Sequence, residues 1–73
     1  MKAQHLLEDM CFKNHGELFH INSITGLINI TYIKDQDAET IRDIGIFKES
    51  WDDQYYIFKQ ISLEQFFKEI FVG

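Results

Sequence analysis

Proline is absent from this chain of 73 residues, and cysteine, tryptophan and arginine each occur once, as Cys11, Trp51 and Arg42. A single cysteine excludes an intramolecular disulfide. Arginine and lysine together number 7 against 12 carboxylates, which argues against nucleic acid or an anionic membrane as a direct partner, because both demand clustered positive charge. No apolar run approaches the roughly 18 residues that a membrane-spanning helix needs. The first residues, Lys2 to His5, lead into a segment broken by Glu8 and Asp9, which is no apolar leader core. These absences make a soluble, cytoplasmic protein the expectation. Glycine-rich phosphate loops and a Gly-x-Ser-x-Gly nucleophile turn are also missing.

What the chain does have is apolar and aromatic mass: 45% of its residues are hydrophobic and 15% aromatic. Each buried ring removes roughly 150–250 Å² from water, so one small domain covering 1–73 can form a core without disulfides or metal. The charge is localised. Asp35, Asp37, Glu39, Asp43, Glu49, Asp52 and Asp53, set against Arg42 and Lys48, account for the whole formal net charge of −5.

The clearest local pattern lies at the C-terminal end. Leu63, Phe66, Phe67, Ile70 and Phe71 recur at i, i+3, i+4, i+7 and i+8, one stripe of a helix. Ser62 and Gln65 have capping-box spacing, and Ile61 can staple onto Phe66. Ala3, Leu6, Leu7, Met10 and Cys11 repeat the same spacing and predict a second helix over 2–14, closed by Asn14, His15 and Gly16. Between the two, the period is two. Leu18 to Ile21 and Leu27 to Ile33 predict a hairpin; Ile41 to Lys48 predicts a third strand with a bulge or close approach at Gly45; 49–53 reads as a turn; and Gln54 to Gln60 predicts a fourth strand. The expectation is an α+β fold: an antiparallel four-stranded meander between two amphipathic helices, both on one sheet face. The other face would be partly open, carrying some of Leu18, His20, Thr31, Phe47, Tyr55 and Ile57, and a homodimer could bury it.

Candidate chemistry is sparse. His5, His15, His20 and Cys11 are metal-ligand types, but Cys11-x3-His15-x4-His20 has no pair-plus-pair spacing, and core or turn positions explain these residues more simply. A Cys11/His nucleophile is disfavoured at a helix C-terminus, where the dipole opposes a thiolate. Asp35-Gln36-Asp37 lacks the glycine and distal glutamate of a calcium loop. A chain this short leaves little room for a substrate cavity of about 300 Å³ beside its core. The expectation is therefore a protein that is not an enzyme and holds no cofactor or metal.

A surface remains. Trp51, Tyr55 and Tyr56 lie beside Glu49, Asp52 and Asp53, and aromatic rings amid charge are the composition of interface anchors. With Asp35, Asp37, Glu39 and Asp43, these residues form a candidate partner-binding set. They suggest a small acidic protein that binds and modulates a basic protein, as phage or mobile-element inhibitors and nucleic-acid mimics do. The plainer alternatives are that the carboxylates only solubilise the chain and that Trp51 or Tyr56 closes the edge of the core. Self-assembly and a small His/Cys metal protein or enzyme are the remaining classes. The motifs carry no family signature.

Overall fold

The period-two segments form the centre of the protein. The computed structural model describes residues 2–34, 41–55 and 57–72, apart from the side chains of Gln54, Phe71 and Val72. Its strands are β1 (Cys11–Asn14), β2 (Glu17–Ile24), β3 (Ile28–Lys34), β4 (Arg42–Ile46) and β5 (Lys59–Ile61). Two helices, α1 (Lys48–Gln54) and α2 (Leu63–Val72), and a 3₁₀ turn at Ala3–His5 complete it. The sheet is five-stranded, in the order β4-β3-β2-β1-β5, and every neighbouring pair is antiparallel.

The α+β class and the antiparallel sheet agree with the sequence reading, but the arrangement differs in four respects. The first is the N-terminal segment, which is a 3₁₀ turn at Ala3–His5, irregular over 6–10 and a strand at Cys11–Asn14 rather than one helix. In a helix over 2–14, Leu7 would face the core and Phe12 would lie off the apolar stripe. Instead Phe12 is 1% exposed and Leu7 64%. An isolated helix of that length is marginal in water, whereas β1 is an interior strand with both edges paired, to β2 and β5. Asn14 and Glu17 close a two-residue hairpin loop in which His15 takes a left-handed φ of 54°. The residues expected to cap a helix make this turn instead.

The second difference is α1, which occupies the expected turn at 49–53. Trp51 and Tyr55, one helical turn apart, direct their rings to the same side and stack with centroids 5.0 Å apart. The third follows from it: among the described residues of the expected strand over 54–60, only Lys59 and Gln60 lie in a strand, β5, which pairs with β1 rather than with β4. Gly45 lies in regular pairing opposite Asn29, and the sheet irregularity falls at Asn22, between Ile21 and Ser23. A Cβ at Gly45 would come within 3.1 Å of the Leu27 side chain, so the close approach expected there is present but the bulge is not.

The fourth concerns layers. The helices cover opposite faces, not one. On the first face, Phe12, Phe19, Ile21, Ile28 and Ile30 pack with Ala3, Leu6 and Trp51, and with half-buried Tyr55 and Phe58. On the second, Cys11, Leu18 and Ile33 pack under Phe66 of α2, with Ile61 and Ile70 beside them. Burial on both faces is why the adjacent residues Leu18 and Phe19 are both interior. The Ser62 hydroxyl accepts the Gln65 backbone N–H at 3.0 Å, half of the expected capping box, while the Gln65 amide turns to Glu69 at 3.1 Å. Lys13 pairs with Glu69 at 2.8 Å and ties α2 to β1. The uncovered part of the second face is polar: the Asn22 amide donates to the Thr31 hydroxyl at 2.7 Å, and Thr31 donates to Asp43 at 2.9 Å. Leu18 lies beneath α2, and Phe47, Tyr55 and Ile57 lie outside the strands. The apolar open face that a face-to-face dimer would need is therefore not formed by the residues expected to carry it.

Candidate functional site

Helix α1 decides which of the expected surface residues are available to a partner. Trp51 is fully buried, with Phe12 edge-on at a centroid distance of 5.0 Å. Its indole N–H has no hydrogen-bond partner among the described residues. Trp51 is thus a core residue and not a surface anchor, which corrects the expectation drawn from its charged neighbours. Asp52 accepts the backbone N–H of Ala3, so its carboxylate ties α1 to the N-terminal turn.

Glu49 and Asp53 lie two residues to either side of Trp51. A displacement of two residues is about 200° around a helix, so both project from the side opposite the buried indole, and both are exposed. Among the described residues, neither makes an ion pair. Asp43 is exposed on β4, on the opposite sheet face, where it is bonded to Thr31. The described acidic residues of the set are therefore divided between two surfaces. Asp35, Asp37, Glu39 and Tyr56 lie outside the described residues.

Tyr55, at the C-terminal end of α1, opens onto a groove of about 380 Å³. This exceeds the space expected for so short a chain. Phe19, Tyr32, Ile44, Tyr55 and Phe58 form its apolar lining, and Asn14, Glu17 and Arg42 its polar lining. Strand register explains the convergence, because Asn14 pairs with Glu17, Phe19 with Tyr32 and Tyr32 with Arg42, and cross-strand partners project from the same face. The Tyr32 hydroxyl donates to a Glu17 carboxylate oxygen at 2.7 Å and fixes it beside the rings. The rings support one another: Phe58 lies 4.6 Å from Phe19 and 4.7 Å from Tyr55, centroid to centroid. Such a recess can receive a side chain with an apolar stem and a polar end.

Cys11 and His20 are cross-strand partners in β1 and β2, while His15 lies in the turn between those strands. Among the described residues no group of three His, Cys, Asp or Glu side chains could hold a metal ion. Cys11 is fully buried. Burial, aided by the nearby Asp9 charge, pushes its thiol up to about 11, the opposite of what an activated nucleophile requires. His20 meets Asp9 at 2.9 Å and lies against the Phe66 ring, while His15 is the exposed turn residue.

Comparison with known proteins adds no relative: no protein-family model, curated protein or solved structure matches this chain. Among the described residues no helix is long and apolar enough to cross a membrane.

Glu49, Asp53 and Tyr55 are among the candidates drawn from the sequence; the groove is not. Asn14, Glu17 and Arg42 come from three strands, and only the register brings them together. The available signal was the alternation of Glu17 with Phe19 and of Tyr32 with Ile30, which puts polar and aromatic residues on one face at one end of the sheet.

Proposed function

We propose that this protein is a small acidic, non-enzymatic binding protein that modulates a basic protein partner through the carboxylates of α1 and the groove at the C-terminal end of that helix. The observation that carries the reading is the pair of exposed carboxylates, Glu49 and Asp53, with no cation paired to either among the described residues. Both lie in a helix of seven residues, about 10 Å long, that ends at Tyr55 and the groove. Carboxylates attract a basic surface over a Debye length and raise the association rate. A lysine or arginine from the partner could then lay its stem along Tyr55 and Phe58 and bring its charge to Glu17, gaining cation–π and carboxylate contacts together. An inhibitory role against a nucleic-acid-binding protein, a phage or mobile-element origin and a cytoplasmic location belong to the same proposal; the acidic charge supports the first of these.

The test is capture from the source cell on the immobilised protein at low and high salt, with wild type and a Glu49→Gln/Asp53→Asn/Glu17→Gln variant. The expected result is a basic protein retained at low salt by wild type and lost from the variant. Equal retention of every captured protein by both would refute the reading.

A further inference from the structure

Strand β4 is an edge, and nothing among the described residues covers its outer side. Arg42, Asp43 and Gly45 are exposed, and the strand is bracketed by Ile41, 48% exposed, and Phe47, 66% exposed. Every second N–H and C=O of such a strand points away from its only neighbour and is free to pair with another strand. Natural edges are commonly protected by proline, charged side chains or a bulge; Arg42–Ile46 contains no proline, its pairing with β3 is regular, and its two charges, Arg42 and Asp43, sit together at its start, leaving Ile44–Ile46 without one. Helix α1 leaves β4 and packs chiefly against the N-terminal turn, so it does not close the edge.

We propose that β4 pairs antiparallel with β4 of a second copy about a two-fold axis at Ile44, joining the two sheets into one. The side chains select both occupant and register. Around Ile44, Arg42 faces the other copy's Ile46, Asp43 faces Gly45, and Ile41 faces Phe47. No like charges oppose each other, and the two exposed apolar residues that bracket the strand cover one another across the interface. Cross-strand partners share a sheet face, which allows symmetric registers only in steps of two. The axis one residue earlier would set Asp43 against Asp43. One residue later, it would set Asp43 against Phe47 and leave Arg42 opposite the start of α1, with no strand partner. The strand is thus complementary to itself in one alignment, as a two-fold interface requires. The dimer carries two copies of the α1 surface and stands independently of the partner reading, because its test reads mass and cross-linking rather than capture.

Sedimentation velocity of the full chain should show a mass rising from monomer to dimer between about 1 and 300 µM, the range of an interface this narrow. Phe47→Asp should shift the midpoint at least tenfold to higher concentration with unchanged Trp51 fluorescence, since the side chain is exposed and aspartate is a favoured residue before a helix. Register is read by oxidation in a Cys11→Ala background. Chains with Ile41→Cys and chains with Phe47→Cys should cross-link when mixed and not when separate. Monomer throughout the range, a dimer indifferent to Phe47→Asp, or cross-linking of Ile41→Cys chains alone would each overturn the proposal.

Discussion

Replacing Phe12 with alanine distinguishes the observed fold from the helix that the N-terminal spacing suggests. Phe12 is 1% exposed on the interior strand β1 and meets Trp51 edge-to-face at 5.0 Å. Truncating such a ring removes its transfer free energy and leaves a cavity, costing about 3–5 kcal/mol. A domain of this length has a stability of roughly 4–11 kcal/mol, so Phe12→Ala should remove a large share of it. The midpoint of thermal unfolding should fall by at least about 12 °C, at about 4 °C or more per kcal/mol for a small domain. Leu7→Ala is the matched control. Leu7 is 64% exposed, and an exposed truncation should alter stability by no more than about 0.5 kcal/mol. Denaturant unfolding followed by Trp51 emission gives both values, because the single tryptophan is buried in the same cluster. If Leu7→Ala cost several kcal/mol and Phe12→Ala under about 1 kcal/mol, β1 and the first-face core would be wrong.

Three other outcomes follow from the packing. In α2, Phe66→Ala should cost about 3–5 kcal/mol and Phe67→Ala only about 1 kcal/mol, measured by the same unfolding, because Phe66 is 4% exposed and Phe67 46%. Asp52→Ala should destabilise by about 1 kcal/mol through loss of the bond to the Ala3 N–H, whereas Asp53→Ala should stay within about 0.5 kcal/mol. The Cys11 thiol is held up to about 11 in the folded protein against an ordinary value of 9.0. Its contribution to stability is therefore complete below pH 9 and lost as pH rises toward 11. Stability measured across that window should fall more steeply for wild type than for Cys11→Ala, and a thiol reagent should label native Cys11 only on unfolding.

The elements legible in the sequence were those whose local signals and tertiary surroundings agree. The β2–β3 hairpin shows alternation and turn chemistry together, and α2 has its stripe and its Ser62 cap. Segment 2–14 was misread because Ala3, Leu6, Leu7, Met10 and Cys11 match a helical stripe by spacing alone. The pattern omits Phe12, whose ring demands burial, and cannot register the pairing partners on both sides of β1. In α1, Asp52 and Asp53 beside Trp51 read as turn chemistry, although Trp51 and Tyr55 at i, i+4 already lay on one helical face. Placing both helices on one sheet face followed from counting amphipathic elements; the adjacent Leu18 and Phe19, both apolar, were the available sign that the sheet is buried on both sides. Of the candidate site, the exposed carboxylates were legible because charge stays in water. The groove was not, since its lining comes from separate elements brought together by register.

The functional account rests on carboxylates that steer a basic partner and on a groove that retains it, and association kinetics separate the two. The measurement is the on-rate and off-rate of the captured partner for wild type, Glu49→Gln/Asp53→Asn and Tyr55→Ala, at about 0.05 and 0.5 M salt, where the Debye length falls from roughly 14 to 4 Å. The account predicts that the charge variant slows association about tenfold at low salt and little at high salt, while Tyr55→Ala accelerates dissociation at both. Rates that are the same for all three proteins, at either salt concentration, would contradict it.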